Sequence, residues 1–274
     1  MPDKLCHYTG VGALQGIVDS GTIWSTQSPY LNDYKELKHA SEIMSNQLYF
    51  YEISDDDNKK EFASVLNDLL SNIDIHAERV YITSFSTNEN QLSQWRGYTP
   101  ENKGVSITFN LNIIQRLIDS HSDYFLVPCQ YNEDKAKTSI EELLHSIFIE
   151  FESKIEKDNY KILNKYLVSK LNILLLAFAS IKSPDFKEEE EWRLIIIKPI
   201  QYSGKEVKFR EGTSMLIPYY EVDLKCNPDE KLFTRVLAGP SQYPWLLQRA
   251  ISQFNHIKKF TAGLSSSDIS YRDW

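Results

Sequence analysis

Apolar and small polar residues alternate along "RVYITSFST" (Arg79 to Thr87), a period of two that predicts a half-buried strand. "KLCHYT", "TIWST" and "YFLVPCQYN" read the same way, and "GVSITFN" sets Val105, Ile107 and Phe109 on one face. Four more strand candidates follow residue 190: "WRLIIIKPI", "KEVKFRE", "MLIPYYEVDL" and "FTRVLAGP". Helical spacing governs other stretches. "GVGALQGIVDSG" places Val11, Leu14, Ile17 and Val18 at helical intervals, with Gly21 suited to the left-handed stop. Helical patterning also dominates from Glu36 to about His76, broken by "SDDDNKK", which reads as a solvated loop. From about Asp134 to Ile181 two or three helices are expected, with Leu143, Leu144, Ile147, Phe148 and Phe151 on one stripe. "PWLLQRAISQFNH" is a further helix with Pro244 in its first turn, and "DISYRDW" closes the chain. Strands gather at both ends with helices between them. The pattern predicts one α+β domain over residues 1–274, with a strongly bent sheet and a helical insertion at about 134–181.

Composition narrows the class without naming a function. The 274 residues carry a net charge of −8, which argues against a general nucleic-acid or anionic-membrane coat. Cys6, Cys129 and Cys226 are odd in number and far apart, so no disulfide framework is implied. No signal region opens the chain, and the apolar run Leu171 to Ile181 is too short to span a bilayer. A cytoplasmic protein is expected. The 16 tyrosines and 5 tryptophans supply rings with polar handles, most of them for the core and some for a cleft.

Candidate chemistry is concentrated in four places. His7 sits between a strand and a helix start, where free amides suit a phosphate or carboxamide; from the residues alone a histidine serving only the fold is the better fit. In "SFS", Ser84 and Ser86 share one face and Phe85 takes the other, lining either a cleft or an exposed sheet face. "QWRGY" offers Trp95, Arg96 and Tyr98 in a loop, a kit for stacking and phosphate pairing. "FKEEEEWRLIII" sets four carboxylates before a sticky strand. If the strand begins near Glu188, then Glu189, Glu191 and Arg193 share a face, and Arg193 holds an inward carboxylate ionised. The alternative is a solvated gatekeeper run. The six histidines never pair at metal-ligand spacing. A Mg²⁺ site on Glu188 to Glu191 stays open, because Mg²⁺ needs only one or two carboxylates and its waters. No phosphate-binding loop, dinucleotide fingerprint or nucleophile elbow is present.

In this order, "CHYTGVGALQGIVDSGTIWST…YLNDYKEL", "YITSFS…LSQWRGY…KGVSITF", "FKEEEEWRL", "VKFRE", "VLAGP" and "ISYRDW" resemble the bacterial family known as domain of unknown function 2971. The resemblance runs nearly end to end, with little carried by 134–181. That architecture is similar in turn to the ADP-ribosyltransferase superfamily, which implies a bent split β-sheet with flanking helices. On this resemblance His7, Tyr8 and Thr9 match the opening element, Ser84 and Ser86 a Ser-x-Ser element, and Glu189 and Glu191 a Glu-x-Glu element. The pattern is a hybrid, because a histidine-type opening ordinarily accompanies a central tyrosine. Tyr30, Trp95 and Tyr98 are therefore all candidates to stack on nicotinamide.

The resemblance implies NAD as substrate. Glu191 would stabilise the ribose cation, Glu189 would position or deprotonate the acceptor, His7 would bind NAD, and Arg96 would face the pyrophosphate. It further implies transfer of ADP-ribose to a protein or nucleic acid, use as a toxin or anti-phage effector, and a regulatory or antitoxin partner. Two other classes are a Mg²⁺-dependent nuclease or phosphodiesterase, and a non-catalytic nucleotide- or protein-binding module.

Overall fold

The structure, a computed structural model, describes residues 1–32, 36–100, 102–154, 160–227 and 229–270. Residues 33–35 of the "YLNDYKE" segment and 271–274 of the closing motif lie outside that description. Its central strands are β3 (Val80–Ser86) and β6 (Glu191–Ile197), paired antiparallel with Val80 opposite Ile197 and Ser86 opposite Glu191. Period two sends Val80, Ile82, Ile195 and Ile197 into one core. Tyr81, Phe85, Leu194 and Ile196 go into a second core on the opposite face. A strand pair covered on both sides explains the unbroken run "RLIII".

Among the described residues ten strands form one sheet. The others are β1 (Cys6–Gly10), β2 (Thr22–Gln27), β4 (Gly104–Phe109), β5 (Tyr124–Pro128), β7 (Lys208–Glu211), β8 (Leu216–Asp223), β9 (Phe233–Ala238) and β10 (Thr261–Ser266). The order is β10-β9-β4-β1-β3-β2-β8-β7, with β6 on the other edge of β3 and β5 on β6. β6 occupies one edge of β3 throughout, so β1 and β2 share the opposite edge. β1 touches it at Cys6–Ser86 alone, and β2 at Thr26–Ile82 and Gln27–Tyr81. Between those contacts the sheet splits. Side chains serve the backbone there: His7 Nδ1 donates to the Ser84 carbonyl (2.9 Å), and Thr83 Oγ1 to the Trp24 carbonyl (3.3 Å).

One face is covered by α2 (Glu36–Glu52), α3 (Asp57–Ser71), α7 (Glu133–Lys154) and α8 (Tyr160–Ala179), whose apolar stripes form the first core. The expected stripe is there, with Leu144, Ile147, Phe148 and Phe151 buried. Within α8, Ile162–Ala179 is long and apolar enough to cross a membrane by length and composition, although the shorter run alone is not. In this fold its Leu163, Leu167, Leu171 and Phe178 are buried in the core. The other face carries α1 (Val11–Ser20), α6 (Leu111–Asp119) and α9 (Pro244–Lys258). Gly21 ends α1 at φ 69°, as its position predicted.

Three expectations need correction. "SDDDNKK" is not wholly a loop: Asp56 accepts from Asn58 N (2.9 Å) and caps α3, whose first turn contains Asp57 to Lys60. "QWRGY" is not a loop but the end of a short helix, α5 (Leu92–Tyr98), whose Trp95 ring is buried. The acidic stretch does not begin a strand at Glu188; Pro184–Glu189 form a 3-10 helix, and β6 starts at Glu191. Ser183 and Pro184 favour that helical start. α6 and β10 were not anticipated, the latter because Thr261–Ser266 carries only one large apolar residue, Leu264.

Phe62 is fully buried among Tyr51, Phe148 and Phe151. Phe62→Ala is expected to cost about 3–5 kcal/mol, read as a lower denaturant midpoint in equilibrium unfolding.

Candidate functional site

On the first-core face, the polar ends of β3 and β6 continue where the apolar halves stop. Ser84 lies opposite Arg193 and Ser86 opposite Glu191, all four on the face of Ile82 and Ile195. The helical layer covers the apolar half, and the polar half borders a cavity of about 630 Å³. The chain reaches Glu191 through a tight reversal. Glu190 closes the 3-10 helix in the left-handed region (φ 45°), an uncommon conformation for a side-chain-bearing residue. It is tied to the end of β3, since Thr87 N donates to the Glu190 carbonyl (3.2 Å) and Thr87 Oγ1 to its carboxylate. Glu188 and Glu190 are exposed, whereas Glu189 and Glu191 turn inward.

Those two carboxylates meet one ammonium. Lys182 Nζ donates to Glu189 Oε2 and to Glu191 Oε2, 2.5 Å each, and lies 4.9 Å from the centre of the Phe186 ring. Arg193 Nε donates to Glu191 Oε1 (2.9 Å), its Nη2 to Oε2 (3.2 Å), and its Nη1 to the Ala179 carbonyl at the end of α8 (2.8 Å). Tyr98 Oη donates to Glu189 Oε1 (2.7 Å), and the Glu191 amide donates to Tyr131 Oη (2.8 Å). All four charged side chains are buried. Burial raises the Glu191 carboxyl, but the charges and hydrogen bonds of Arg193 and Lys182 outweigh it and hold the group at about 2. It is ionised at neutral pH. Among the described residues no three His, Cys, Asp or Glu side chains gather as metal ligands. Lys182 Nζ stands between the two carboxylates, where a divalent cation bridging them would sit.

His7 reaches the same cavity from the other strand of the split. By ladder parity it belongs to the Phe85 face, and its ring meets Phe85 edge-on at 6.1 Å. Because β1 leaves β3 after Cys6, the ring stands in the gap rather than behind the sheet. A carbonyl only accepts, so the bond to Ser84 puts the ring proton on Nδ1 and leaves Nε2 an acceptor. Burial pushes the imidazole below its ordinary value, against the opposing effect of that hydrogen bond, and keeps it neutral.

Of the residues singled out in the sequence, His7, Tyr8, Ser84, Ser86, Tyr98, Glu189 and Glu191 border this cavity; Thr9, Trp95 and Arg96 do not. Tyr8 Oη is engaged with the loop after β3, donating to the Asn88 carbonyl (2.8 Å) and accepting from Gln91 N (3.0 Å). Trp95 braces the fold: its ring meets Tyr8 edge-on at 4.8 Å, and its Nε1 donates to Asn90 Oδ1 (3.0 Å). A Cβ on Gly239 would come within 2.7 Å of that ring, so glycine permits the approach. Arg96 is exposed. Of the three candidate stacking rings, Tyr30 and Tyr98 border the cavity. Lys182, Tyr131, Trp24 and Arg210 were not anticipated. The one available signal for Lys182 was a lone cation just past an apolar helix and seven residues before Glu189.

Residues 94–194 match the model of a family described as "Protein of unknown function (DUF2971)". The match runs from α5 to β6, takes in the carboxylate pair with Lys182, Arg193 and Tyr98, and spans the helical stretch 134–181. Comparisons with curated proteins and with solved structures find no match.

Lys182→Met would leave two buried carboxylates side by side. Stability at pH 7 is expected to fall by about 3–5 kcal/mol. One carboxyl should then titrate above its unfolded value, so part of the loss returns as pH is lowered toward 5. Wild type has the opposite slope: the Glu191 contribution is complete above 4.5 and is lost as pH falls toward about 2. Chemical denaturation across pH, with carboxyl-carbon NMR on both proteins, checks the sign.

Proposed function

We propose that this chain is an NAD-dependent ADP-ribosyltransferase acting on a macromolecular acceptor, a protein or a nucleic acid. The observation that supports it is the meeting of His7, Ser84 and the Glu189–Glu191 pair in one cavity at the split of the sheet. A cavity of about 630 Å³ is in the range of small-ligand sites.

In the proposed reaction the bond from the nicotinamide nitrogen to ribose C1′ breaks, and its electron pair neutralises the pyridinium. Positive charge develops on the ribose, as in glycoside hydrolysis. An ionised carboxylate fixed beside that carbon binds the transition state better than the ground state. Glu191 takes this role. An acceptor O–H or N–H then attacks C1′ and gives up its proton; Glu189, aligned by Tyr98, receives or orients it. His7, through Nε2, accepts from a ribose hydroxyl or the carboxamide. A role as bacterial toxin or anti-phage effector, held silent by a partner protein, accords with the family resemblance.

A second reading, a nucleotide-binding module without turnover, is favoured by one observation. Both Glu191 oxygens already accept from Lys182 or Arg193, and the side chain is only 5 % exposed.

Incubation of labelled NAD with cell extract decides between them. Wild type is expected to release nicotinamide and label extract, and Glu191→Gln to be at least about 100-fold slower. Because Glu191→Gln disturbs a buried pair, Tyr98→Phe is the milder companion, with about tenfold loss and an unchanged unfolding midpoint. NAD bound without nicotinamide release assigns the module. Equal labelling by wild type and Glu191→Gln contradicts the mechanism.

A further inference from the structure

The cavity has a second end that the residues above do not use. Trp24 and Thr26 of β2, Tyr30 just beyond it, and Arg210 of β7 border it, on the far arm of the split from β1. Thr26 lies opposite Tyr219 and Arg210 opposite Ile217, so by register β2, β8 and β7 turn these side chains to one face. Arg210 is half-buried. Among the described residues its guanidinium makes no ion pair and reaches only the Thr26 hydroxyl, at 3.4 Å. The neighbouring carboxylate Glu221 is taken by Lys208 (2.6 Å). Arg210 is thus a half-buried cation on the cavity wall with no carboxylate against its guanidinium among the described residues. The Trp24 indole stacks on Tyr219 at 4.3 Å and 30°, which fixes its plane, yet Trp24 is 46 % exposed and Tyr30 38 %.

We propose that Arg210, Thr26, Trp24 and Tyr30 form a subsite for a nucleoside diphosphate, with the phosphates on the guanidinium and hydroxyl and the base against the exposed rings. Three features of the wall select that ligand class. A planar guanidinium favours phosphate oxygens. A pre-oriented indole and phenol offer stacking faces for a base, worth about 1–3 kcal/mol each. Among the described lining residues Lys182 and Arg193 are matched by Glu189 and Glu191, which leaves Arg210 as the cation that an anion would meet. Assignment of this end to the adenylate half of NAD rests on the reading of Glu191 and His7 at the other; the anion-and-ring chemistry does not. Arg210 thus takes the pyrophosphate-facing part expected of Arg96, which is outside the cavity.

Calorimetric titration with ADP, adenosine and inorganic pyrophosphate tests the subsite without requiring turnover. ADP should bind wild type. Arg210→Gln should weaken ADP about tenfold or more and abolish competition by pyrophosphate, while leaving adenosine affinity within twofold. Trp24→Ala should weaken ADP and adenosine together. His7→Ala should leave ADP affinity unchanged and weaken NAD. Arg210 and Trp24 are both partly exposed, and circular dichroism of each variant checks that it folds. Arg210-dependent ADP binding with no nicotinamide release would uphold the subsite while the transferase reading fails. Failure of wild type to bind ADP, or ADP affinity untouched by both Arg210→Gln and Trp24→Ala, overturns the subsite.

Discussion

A strand has two hydrogen-bonding edges, and β3 divides one of them between two partners. β6 takes the other edge from Val80 to Ser86. That leaves β1 a single residue at one end and β2 two residues at the other. Backbone groups between those contacts still need partners, and the His7 ring and Thr83 hydroxyl provide them. The histidine is therefore part of the sheet's hydrogen bonding and also borders the opening that the split creates. Fold and site share the same atoms.

The second constraint is electrostatic. Glu189 and Glu191 turn inward on a face that otherwise continues a hydrophobic core, and buried charge is costly unless it is paired. Both compensating cations link the site to the helical layer. Lys182 arrives three residues past the end of α8, and Arg193 binds the last carbonyl of that helix. α8 is consequently more than a cover for the sheet: it ends where the carboxylates need counter-charge. The arrangement keeps Glu191 ionised, and it also sets the limit on its strength, since two cations share its field.

Much of this was legible in the residues. Alternation in "YITSFS" placed Ser84 and Ser86 opposite Phe85, and they lie so. The partnership of Arg193 with Glu191 followed from their shared face. The route to the Glu189–Glu191 convergence did not follow: period two was the expected cause, whereas a 3-10 turn and a left-handed Glu190 produce it. "QWRGY" was misread because Gly97 and Tyr98 look like loop chemistry, while Trp95 anchors a helix to Tyr8. Lys182 and Arg210 were missed for one reason. Each is distant in sequence from some of its neighbours and carries no periodic signal; only the fold brings Lys182 beneath the carboxylates and Arg210 to Thr26.

The central claim is that the split of the sheet is a binding cleft with the carboxylate pair at one end and Arg210 at the other. A crystal structure with a non-hydrolysable NAD analogue tests it most directly. The account predicts the nicotinamide riboside between His7 and Glu191, with the diphosphate on Arg210. A dinucleotide bound outside the split, or bound with its diphosphate away from Arg210 and its ribose away from Glu191, would contradict it.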